Sequence, residues 1–163
     1  MTNHQCDTGE MVRFYEQEFY VLSNFSAFQV IIAGVPFMTS EHAYHWYKFT
    51  NPDTTGVAEA IRNALSAHDA FKIAQQNKLV RRADWNLVKE NIMRCILRTK
   101  ARQHEYVRRK LLETGDRLLV EDSWRDDVWG WGPNRDGQNL LGKLWMEIRA
   151  ELRSESNGDS DGG

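Results

Sequence analysis

The sequence contains few residues of the kinds that mark fibrous or disulfide-built proteins. Its 163 residues include only 3 Pro, 2 Cys and 11 Gly, which excludes a collagen-like chain and a fold stapled by several disulfides. Cys6 lies in a polar N-terminal segment and Cys95 lies within a helical pattern. We therefore expect neither a structural disulfide nor a cysteine metal cluster. We expect the protein in a reducing compartment, by default the cytoplasm.

Long apolar runs are also absent. Stretches such as Val30 to Val35 are far shorter than the roughly 20 residues that span a bilayer. The first ten residues are polar and acidic, where a secretory signal would be basic and then apolar. We expect no association with a membrane.

The net charge of −2 is unevenly distributed along the chain. Five acids lie in the first and last ten residues, so the remaining body carries a net charge of +3. A mildly basic body suits a phosphorylated ligand, although many proteins with such an excess bind no anion.

Several catalytic motifs are missing from the chain. It has no glycine-rich phosphate loop, no serine nucleophile elbow and no dinucleotide fingerprint, which disfavours phosphoryl, acyl and hydride transfer. His42 and His45 are three positions apart, but no H-E-x-x-H order or nearby cysteine completes a zinc site. We expect no metal and no cofactor.

Hydrophobic periodicity predicts a helix-dominated α+β fold, a single domain with a small β-sheet. We expect a flexible N-terminus over residues 1–11, an ordered domain over residues 12–152 and a disordered acidic tail over residues 153–163. The predicted strands are 12–15, 28–32, 35–38 and 118–121, with a turn at Ala33-Gly34. The predicted helices are 41–49, with Ser40 as the N-cap, 57–65, 69–77, 86–104, 105–113 and 140–152.

The segment from Thr39 to Phe49 has the densest set of reactive side chains. In a helix, the seven positions between Glu41 and Lys48 are about two turns, which places a carboxylate and an amine on one face with Tyr44 and His45 between them. The alternative interpretation is that the aromatic residues are core and Glu41 only favours the helix N-terminus.

Three other segments allow both a functional and a structural interpretation. Leu22 to Phe25 could bond and stack a base, or could be a turn held by a buried ring. The loop from Trp124 to Gly132 combines acids, indoles and glycines, a composition more typical of a site than of a spacer. The stretch from Lys78 to Lys110 holds eleven Lys or Arg and three acids; it is either a solvated helical face or a track for phosphates or nucleic acid.

Taken in their order along the chain, the motifs of this sequence resemble those of the NADAR family, also described as a riboflavin-intermediate N-glycosidase family. The resemblance covers about Val12 to Leu152. It is carried by Phe14-Tyr15, Ser23-Asn24-Phe25, Thr39-Ser-Glu-His42, Lys48-Phe49, Trp85, Lys89, Met93, Leu97, Lys100, Asp126, Trp129-Gly130, Gly137, Asn139 and Gly142.

The resemblance implies an enzyme, an N-glycosidase that hydrolyses the bond between a ribose C1 and a base-like nitrogen. Cleavage there passes through an oxocarbenium-like state that a carboxylate stabilises or supplies with activated water. Glu41 is the first catalytic candidate, and Asp126 is the second carboxylate or a ribose ligand. Lys48 is the third: it acts either as a cation on the departing group or as an amine that forms a Schiff base at C1. The sequence does not decide between the two.

The resemblance also implies a set of substrate contacts. We expect aromatic residues to stack a base, polar residues to orient ribose and phosphate, and glycine to admit the substrate to the backbone. These residues are Phe14, Tyr15, Ser23, Asn24, Phe25, Ser40, His42, Tyr44, Trp85, Trp129, Gly130 and Asn139.

Three functions remain open at this point. The first is removal of ADP-ribose from modified guanine in a nucleotide, DNA or RNA. The second is cleavage of a phosphoribosylamino-pyrimidine intermediate of riboflavin synthesis, and the third is a catalytically silent module that binds ADP-ribose or nucleic acid. The expected partner in each case carries ribose and phosphate.

Overall fold

The computed structural model describes residues 7–8, 10–14 and 18–158. In these residues the chain forms six α-helices, five short strands and three 3-10 turns, which confirms the predicted α+β class. The chain divides into two compact units. One is formed by Met1–Ser23 with Glu105–Gly163, and the other by Asn24–His104.

The first unit contains a three-stranded sheet. Its strands are β1 (Asp7–Thr8), β2 (Met11–Arg13) and β5 (Leu118–Val120), in the order β1-β2-β5. β1 pairs with β2 in antiparallel fashion, and β2 pairs with β5 in parallel with Val12 opposite Leu119. Because β1 is paired, this part of the predicted flexible N-terminus is a strand.

Two helices cover the first unit's core, α5 (Glu105–Glu113) and α6 (Leu140–Gly158). Trp145 of α6 is fully buried, and its indole N–H donates to the backbone oxygen of Leu22 at 2.8 Å. Burial of a ring that also satisfies its polar atom is a strong packing contribution. The same core contains Val12, Phe14, Leu119, Val120 and Ile148.

α6 continues six residues beyond its predicted end at Leu152. Arg153 pairs with Asp116 at 2.8 Å and also bonds the Gly115 backbone oxygen, so the last turns are anchored where the sequence predicts a disordered tail. Residues 153–158 are therefore helical, and residues 159–163 lie outside the described part.

Gly142 lies where α6 begins against β5. A Cβ atom there would meet the Leu119 backbone oxygen and would lie 2.6 Å from both side-chain amide atoms of Asn139. We expect Gly142→Ala to lower the free energy of unfolding by about 1–3 kcal/mol, because backbone must shift to admit the methyl group. Urea unfolding measures the change.

Gly56 is the control for that experiment, since it lies in a helix with open space around its Cα. Gly56→Ala is expected to leave stability unchanged or raise it by up to about 1 kcal/mol. Equal effects of the two substitutions would contradict the packing described for Gly142.

The second unit begins with a hairpin of β3 (Val30–Ile32) and β4 (Val35–Phe37). Ala33 and Gly34 both have positive φ, +51° and +80°, as a two-residue hairpin turn requires. The predicted turn is confirmed.

Four helices complete the second unit. They are α1 (Ser40–Trp46), α2 (Thr55–Arg62), α3 (Ala67–Gln76) and α4 (Trp85–Gln103). Small buried residues let the helices approach closely around Phe49 and Ile61: Ala58, Ala64, Ala70 and Ala74. This packing fixes α1, which carries the densest group of predicted site residues, against α2, α3 and α4.

No helix among the described residues is long and apolar enough to cross a bilayer.

Candidate active site

Helix α1 starts one residue earlier than it would with Ser40 as its N-cap. Thr39 is the N-cap: its backbone is extended, and its Oγ1 accepts from the backbone N–H of His42 at 3.2 Å. Ser40 is instead the first helical residue and is fully buried. The predicted cap is wrong because Thr39 has the same capping chemistry and is one position nearer the strand.

Glu41 and His45 form a buried pair on α1. His45 Nε2 lies 2.6 Å from Glu41 Oε1, at the i, i+4 spacing of one helical turn. The His45 side chain is 4% exposed and that of Glu41 is 11% exposed. One carboxylate oxygen is thus held by imidazole while the side chain keeps limited access to solvent.

Lys48 lies just beyond the end of α1, which stops at Trp46 with Tyr47 as its C-cap. The predicted helix to Phe49 is therefore too long. The Lys48 ammonium nitrogen nevertheless lies over two aromatic rings, 5.0 Å from the centroid of Tyr44 and 5.6 Å from that of Trp85. The early helix end thus leaves the amine beside the predicted aromatic residues.

Burial lowers the pKa of Lys48 to about 8. The Glu41 carboxylate opposes this shift, whereas the neighbouring cations Arg81, Lys78 and Lys89 add to it. Desolvation and nearby like charge are the two conditions that turn a lysine into a nucleophile near neutral pH. Lys48 is therefore available as an amine at a pH where an exposed lysine is not.

Trp85 is placed by the turn that leads into α4. The backbone N–H of Arg82 donates to the Lys48 backbone oxygen at 2.8 Å, so the two segments are joined next to the amine. The Trp85 ring is buried and meets the Tyr44 ring edge to face, with centroids 5.0 Å apart. Trp85, which the sequence predicts to stack a base, is thus held in a fixed position beside Lys48.

Four buried polar atoms on α1 or in the segment bonded to it have no protein partner among the described residues. They are Asn24 Oδ1, Ser40 Oγ, His45 Nδ1 and Trp46 Nε1. The Asn24 amide N–H₂ points to Met93 Sδ at 3.5 Å, and the Asn24 backbone oxygen accepts from Glu41 N–H. Buried polar atoms are nearly always paired, so the unpaired atoms of Asn24 and Ser40 favour a polar ligand as their partner.

His42 has both ring nitrogens occupied within the protein. Nδ1 bonds Thr39 Oγ1 at 2.8 Å and Nε2 bonds the Ala64 backbone oxygen at 3.0 Å, and the ring is fully buried. The bond to Ala64 joins α1 to the segment that follows α2, which is a structural role. A substrate contact by His42 stays a prediction.

Another group of predicted site residues lies in the first unit, on the loop before α6. Asp126 Oδ1 accepts from the backbone N–H groups of Val128 and Trp129, both at 2.9 Å. Asp126 therefore shapes the loop that presents Trp129, which is half-buried. Its role as a second carboxylate stays a prediction.

Asn139 holds the end of this loop to β5. Its Oδ1 accepts from Glu121 N–H at 3.0 Å, its Nδ2 donates to the Leu119 oxygen at 2.9 Å, and its own N–H donates to the Gly130 oxygen. A Cβ on Gly130 would lie 2.7 Å from the Glu121 backbone oxygen, so this glycine serves close backbone packing. Asn139 likewise uses its amide inside the fold.

The remaining predicted contacts differ in exposure. Phe14 is fully buried in the first unit's core, and Ser23 is buried at the end of a 3-10 turn where its N–H donates to the Tyr20 oxygen. Phe25, in the second unit, is 44% exposed. Tyr15 lies outside the described residues.

A second buried amine belongs to a residue of the family resemblance for which the sequence predicts no role. Lys100 is fully buried in α4, and its Nζ donates to Ser26 Oγ at 2.8 Å and lies 5.4 Å from the Phe28 centroid. Burial lowers its pKa to about 7. The apolar periodicity of α4 in the sequence does not indicate that one of its basic residues faces inward.

Within the described ranges, no three His, Cys, Asp or Glu side chains are grouped so as to hold a metal ion. A cavity of about 230 Å³ lies beside α4, lined by Tyr47, Val88, Asn91, Ile92, Cys95 and Ile96. It includes none of the predicted site residues.

Comparison with known proteins assigns the chain to a family. The NADAR domain matches residues 4–153. N-glycosidase Npun_R5314 of Nostoc punctiforme is 37% identical over 145 residues, which are 88% of this chain and 93% of that protein. Riboflavin biosynthesis protein VVA0006 of Vibrio vulnificus is 33% identical over 147 residues, which cover 89% of this chain but 39% of that protein.

A solved structure shares the fold. N-glycosidase YbiA of Escherichia coli is 35% identical over 147 residues, 89% of this chain and 90% of that protein. The NMR structure of E. coli YbiA matches with a TM-score of 0.81 at 34% identity and covers 90% of this chain and 87% of that one. The family match and these relatives extend over most of the sequence, and the chain belongs to the NADAR domain family.

Proposed function

We propose that the chain removes ADP-ribose from ADP-ribosylated guanine by hydrolysing the ribose C1–N bond, with Lys48 as the nucleophile and Glu41 as the proton carrier. The chain is an N-glycosidase, a hydrolase of N-glycosyl compounds, as its relatives over most of its length are named. The observation that carries the finer proposal is the Lys48 amine, half-buried over two aromatic rings beside the Glu41 carboxylate.

Burial supports the use of Lys48 as an amine. A cation that served only to attract a departing group would gain from full charge, whereas this site lowers the pKa of Lys48 to about 8. A lysine in such surroundings attacks electrophilic carbon at neutral pH. The Glu41 carboxylate acts electrostatically on Lys48, and in the proposed reaction it takes up the proton that the amine loses.

The proposed reaction proceeds through one covalent intermediate. Lys48 Nζ forms a bond to ribose C1 while the C1–N bond to guanine breaks, and Glu41 transfers the proton lost by the amine to the leaving guanine nitrogen. The bond from C1 to the ring oxygen then breaks, that oxygen takes the remaining proton of the Lys48 nitrogen, and a C1=N Schiff base forms. Water adds to C1, Lys48 leaves as the free amine, and the net change is the addition of one water.

The charge around Lys48 supports a substrate with more than one phosphate. Arg81, Lys78 and Lys89 are near enough to lower the pKa of Lys48, so three further cations act on this amine. A diphosphate between adenosine and ribose would satisfy several such cations at once. Stacking on an aromatic ring adds about 1–3 kcal/mol per base in nucleic-acid complexes, and the exposed Phe25 offers one such ring.

The reaction rate should depend on pH through Lys48. Because the neutral amine attacks, kcat/KM is expected to rise about tenfold per pH unit below about pH 8 and to level off above it. Initial rates in buffers of constant ionic strength measure this. A rate that instead falls as pH rises through this range would show that the ammonium form is required.

A second function is supported by the relative named as a riboflavin biosynthesis protein. A phosphoribosylamino-pyrimidine has the same reacting centre, a ribose C1 bound to nitrogen, but only one phosphate. The two substrates differ in the length of the cleft and the number of cations that they need.

The deciding experiment offers purified protein ADP-ribosylated guanosine, ADP-ribosylated DNA and the phosphoribosylamino-pyrimidine in parallel, each with and without EDTA. Mass spectrometry identifies the products. We expect free ADP-ribose together with unmodified guanosine or DNA, in the same yield with and without the chelator. Release of ribose 5-phosphate from the pyrimidine alone would replace the proposal by the second function, and no turnover of any substrate would favour a silent binding module.

A further inference from the structure

His45 is not among the residues for which the sequence predicts a role in the reaction, yet its imidazole hydrogen-bonds the Glu41 carboxylate. The distance from His45 Nε2 to Glu41 Oε1 is 2.6 Å, within the range of a short charge-assisted hydrogen bond. Both residues are buried. Loss of the imidazole would leave a buried carboxylate without this donor.

The protonation pattern of the pair follows from the chemistry of its atoms. An ionised carboxylate only accepts hydrogen bonds, so His45 Nε2 must carry the proton and donate it to Glu41 Oε1. His45 Nδ1 is then the unprotonated nitrogen. It is buried and has no described partner, so a proton on it would be an unsatisfied buried donor.

Packing fixes the imidazole in this orientation. The His45 ring meets the Tyr44 ring at a centroid distance of 5.2 Å and the Phe71 ring of α3 at 5.8 Å, both edge to face. With two neighbours and a buried position, the ring cannot turn away from Glu41 without disturbing α1 or α3. The carboxylate therefore has one preferred direction.

We propose that His45 is the positioning residue of the reaction: its Nε2–H holds Glu41 Oε1 and thereby directs Oε2 to the substrate. This inference rests on the proposed role of Glu41. It assigns no proton transfer to His45, because Nδ1 is closed to solvent.

Two substitutions separate the hydrogen bond from the volume of the ring. His45→Phe keeps an aromatic ring between Tyr44 and Phe71 but removes the donor. His45→Gln supplies an amide N–H that can reach Glu41 from the same helical position. His68→Phe is the matched control, because the exposed His68 ring stacks on Phe71 at 6.2 Å and does not bond Glu41.

The expected result is a loss of kcat without a matching change of KM. His45→Phe should reduce kcat by about 10- to 100-fold, the cost of a misplaced catalytic group. His45→Gln should recover most of the rate, and His68→Phe should retain it. A folded His45→Phe variant with the normal kcat would overturn the inference.

Glu41→Gln, measured in the same assay, keeps the inference separate from the proposed function. If Glu41→Gln retains the normal rate, Glu41 is not catalytic and the proposed mechanism fails. If Glu41→Gln is inactive while His45→Phe is normal, only the positioning role fails.

A spectroscopic measurement tests the pair without any substrate. Nitrogen-15 NMR of the histidine rings near neutral pH should show His45 protonated at Nε2 alone. Protonation at Nδ1 alone would contradict the hydrogen bond on which the inference depends.

Discussion

Replacement of Lys48 by arginine is expected to abolish turnover, with a fall in kcat of at least about a thousandfold. Arginine keeps the positive charge and can lie over the rings of Tyr44 and Trp85, but its guanidinium does not deprotonate near neutral pH. The substitution therefore removes the nucleophile and retains the cation. Single-turnover rates with ADP-ribosylated guanosine measure the loss.

Two further variants complete this test. Lys48→Met removes both charge and amine and should be as inactive as Lys48→Arg. Lys72→Met, an exposed position on α3, should retain the normal rate. Substantial activity in Lys48→Arg together with its loss in Lys48→Met would assign Lys48 an electrostatic role instead.

Replacement of Glu41 by glutamine is expected to lower kcat by about 10²- to 10⁴-fold, the usual contribution of general acid–base catalysis. The amide oxygen of glutamine can still accept from His45 Nε2, so the local fold should persist. The amide cannot carry a proton from Lys48 to the leaving nitrogen. Steady-state kinetics measure the loss, and thermal unfolding checks that the variant is folded.

The affinity of Glu41→Gln for ADP-ribose should change much less than its rate. Because Glu41 is proposed to act on protons and not on phosphate, the affinity for the product ADP-ribose should stay within a few-fold of normal in Glu41→Gln. Calorimetric titration measures that affinity. A variant that binds ADP-ribose far more weakly but reacts at the normal kcat would make Glu41 a binding residue.

The positions of the helices follow closely from the sequence because their apolar faces are regular. Helix α5 has the predicted bounds, Glu105–Glu113, and α4 begins one residue before its predicted start and ends one residue earlier. The ends are less well predicted where two residues share capping chemistry, as Thr39 and Ser40 do. The added length of α6 depends on the contacts of Arg153 with Asp116 and Gly115, which join residues distant in sequence.

The arrangement of Glu41, Lys48 and His45 was predictable from the sequence only in part. The spacing of Glu41 and Lys48 indicates a shared face, and the two charges do interact although α1 ends before Lys48. The bond between Glu41 and His45 has a signal in the sequence, the i, i+4 spacing, but that spacing is shared by many unrelated pairs. Only burial shows that this pair is held apart from water.

Two other side chains show the limit of reasoning from residue type. His42 and Asn139 have polar groups suited to a substrate, yet each uses them to bond backbone: His42 to Ala64, and Asn139 to Leu119 and Glu121. A polar side chain serves a ligand or the fold according to its three-dimensional neighbours. Those neighbours lie 18 to 22 positions away, beyond any local pattern.

The most direct test of the mechanism is borohydride reduction during turnover, followed by peptide mass spectrometry. Reduction of a C1=N Schiff base would fix the ADP-ribosyl group on the amine. We predict one adduct, on the peptide that carries Lys48 and not on the peptide of the buried Lys100, dependent on substrate and absent from Lys48→Met. Normal turnover in the presence of borohydride, with no adduct on Lys48, would contradict the account.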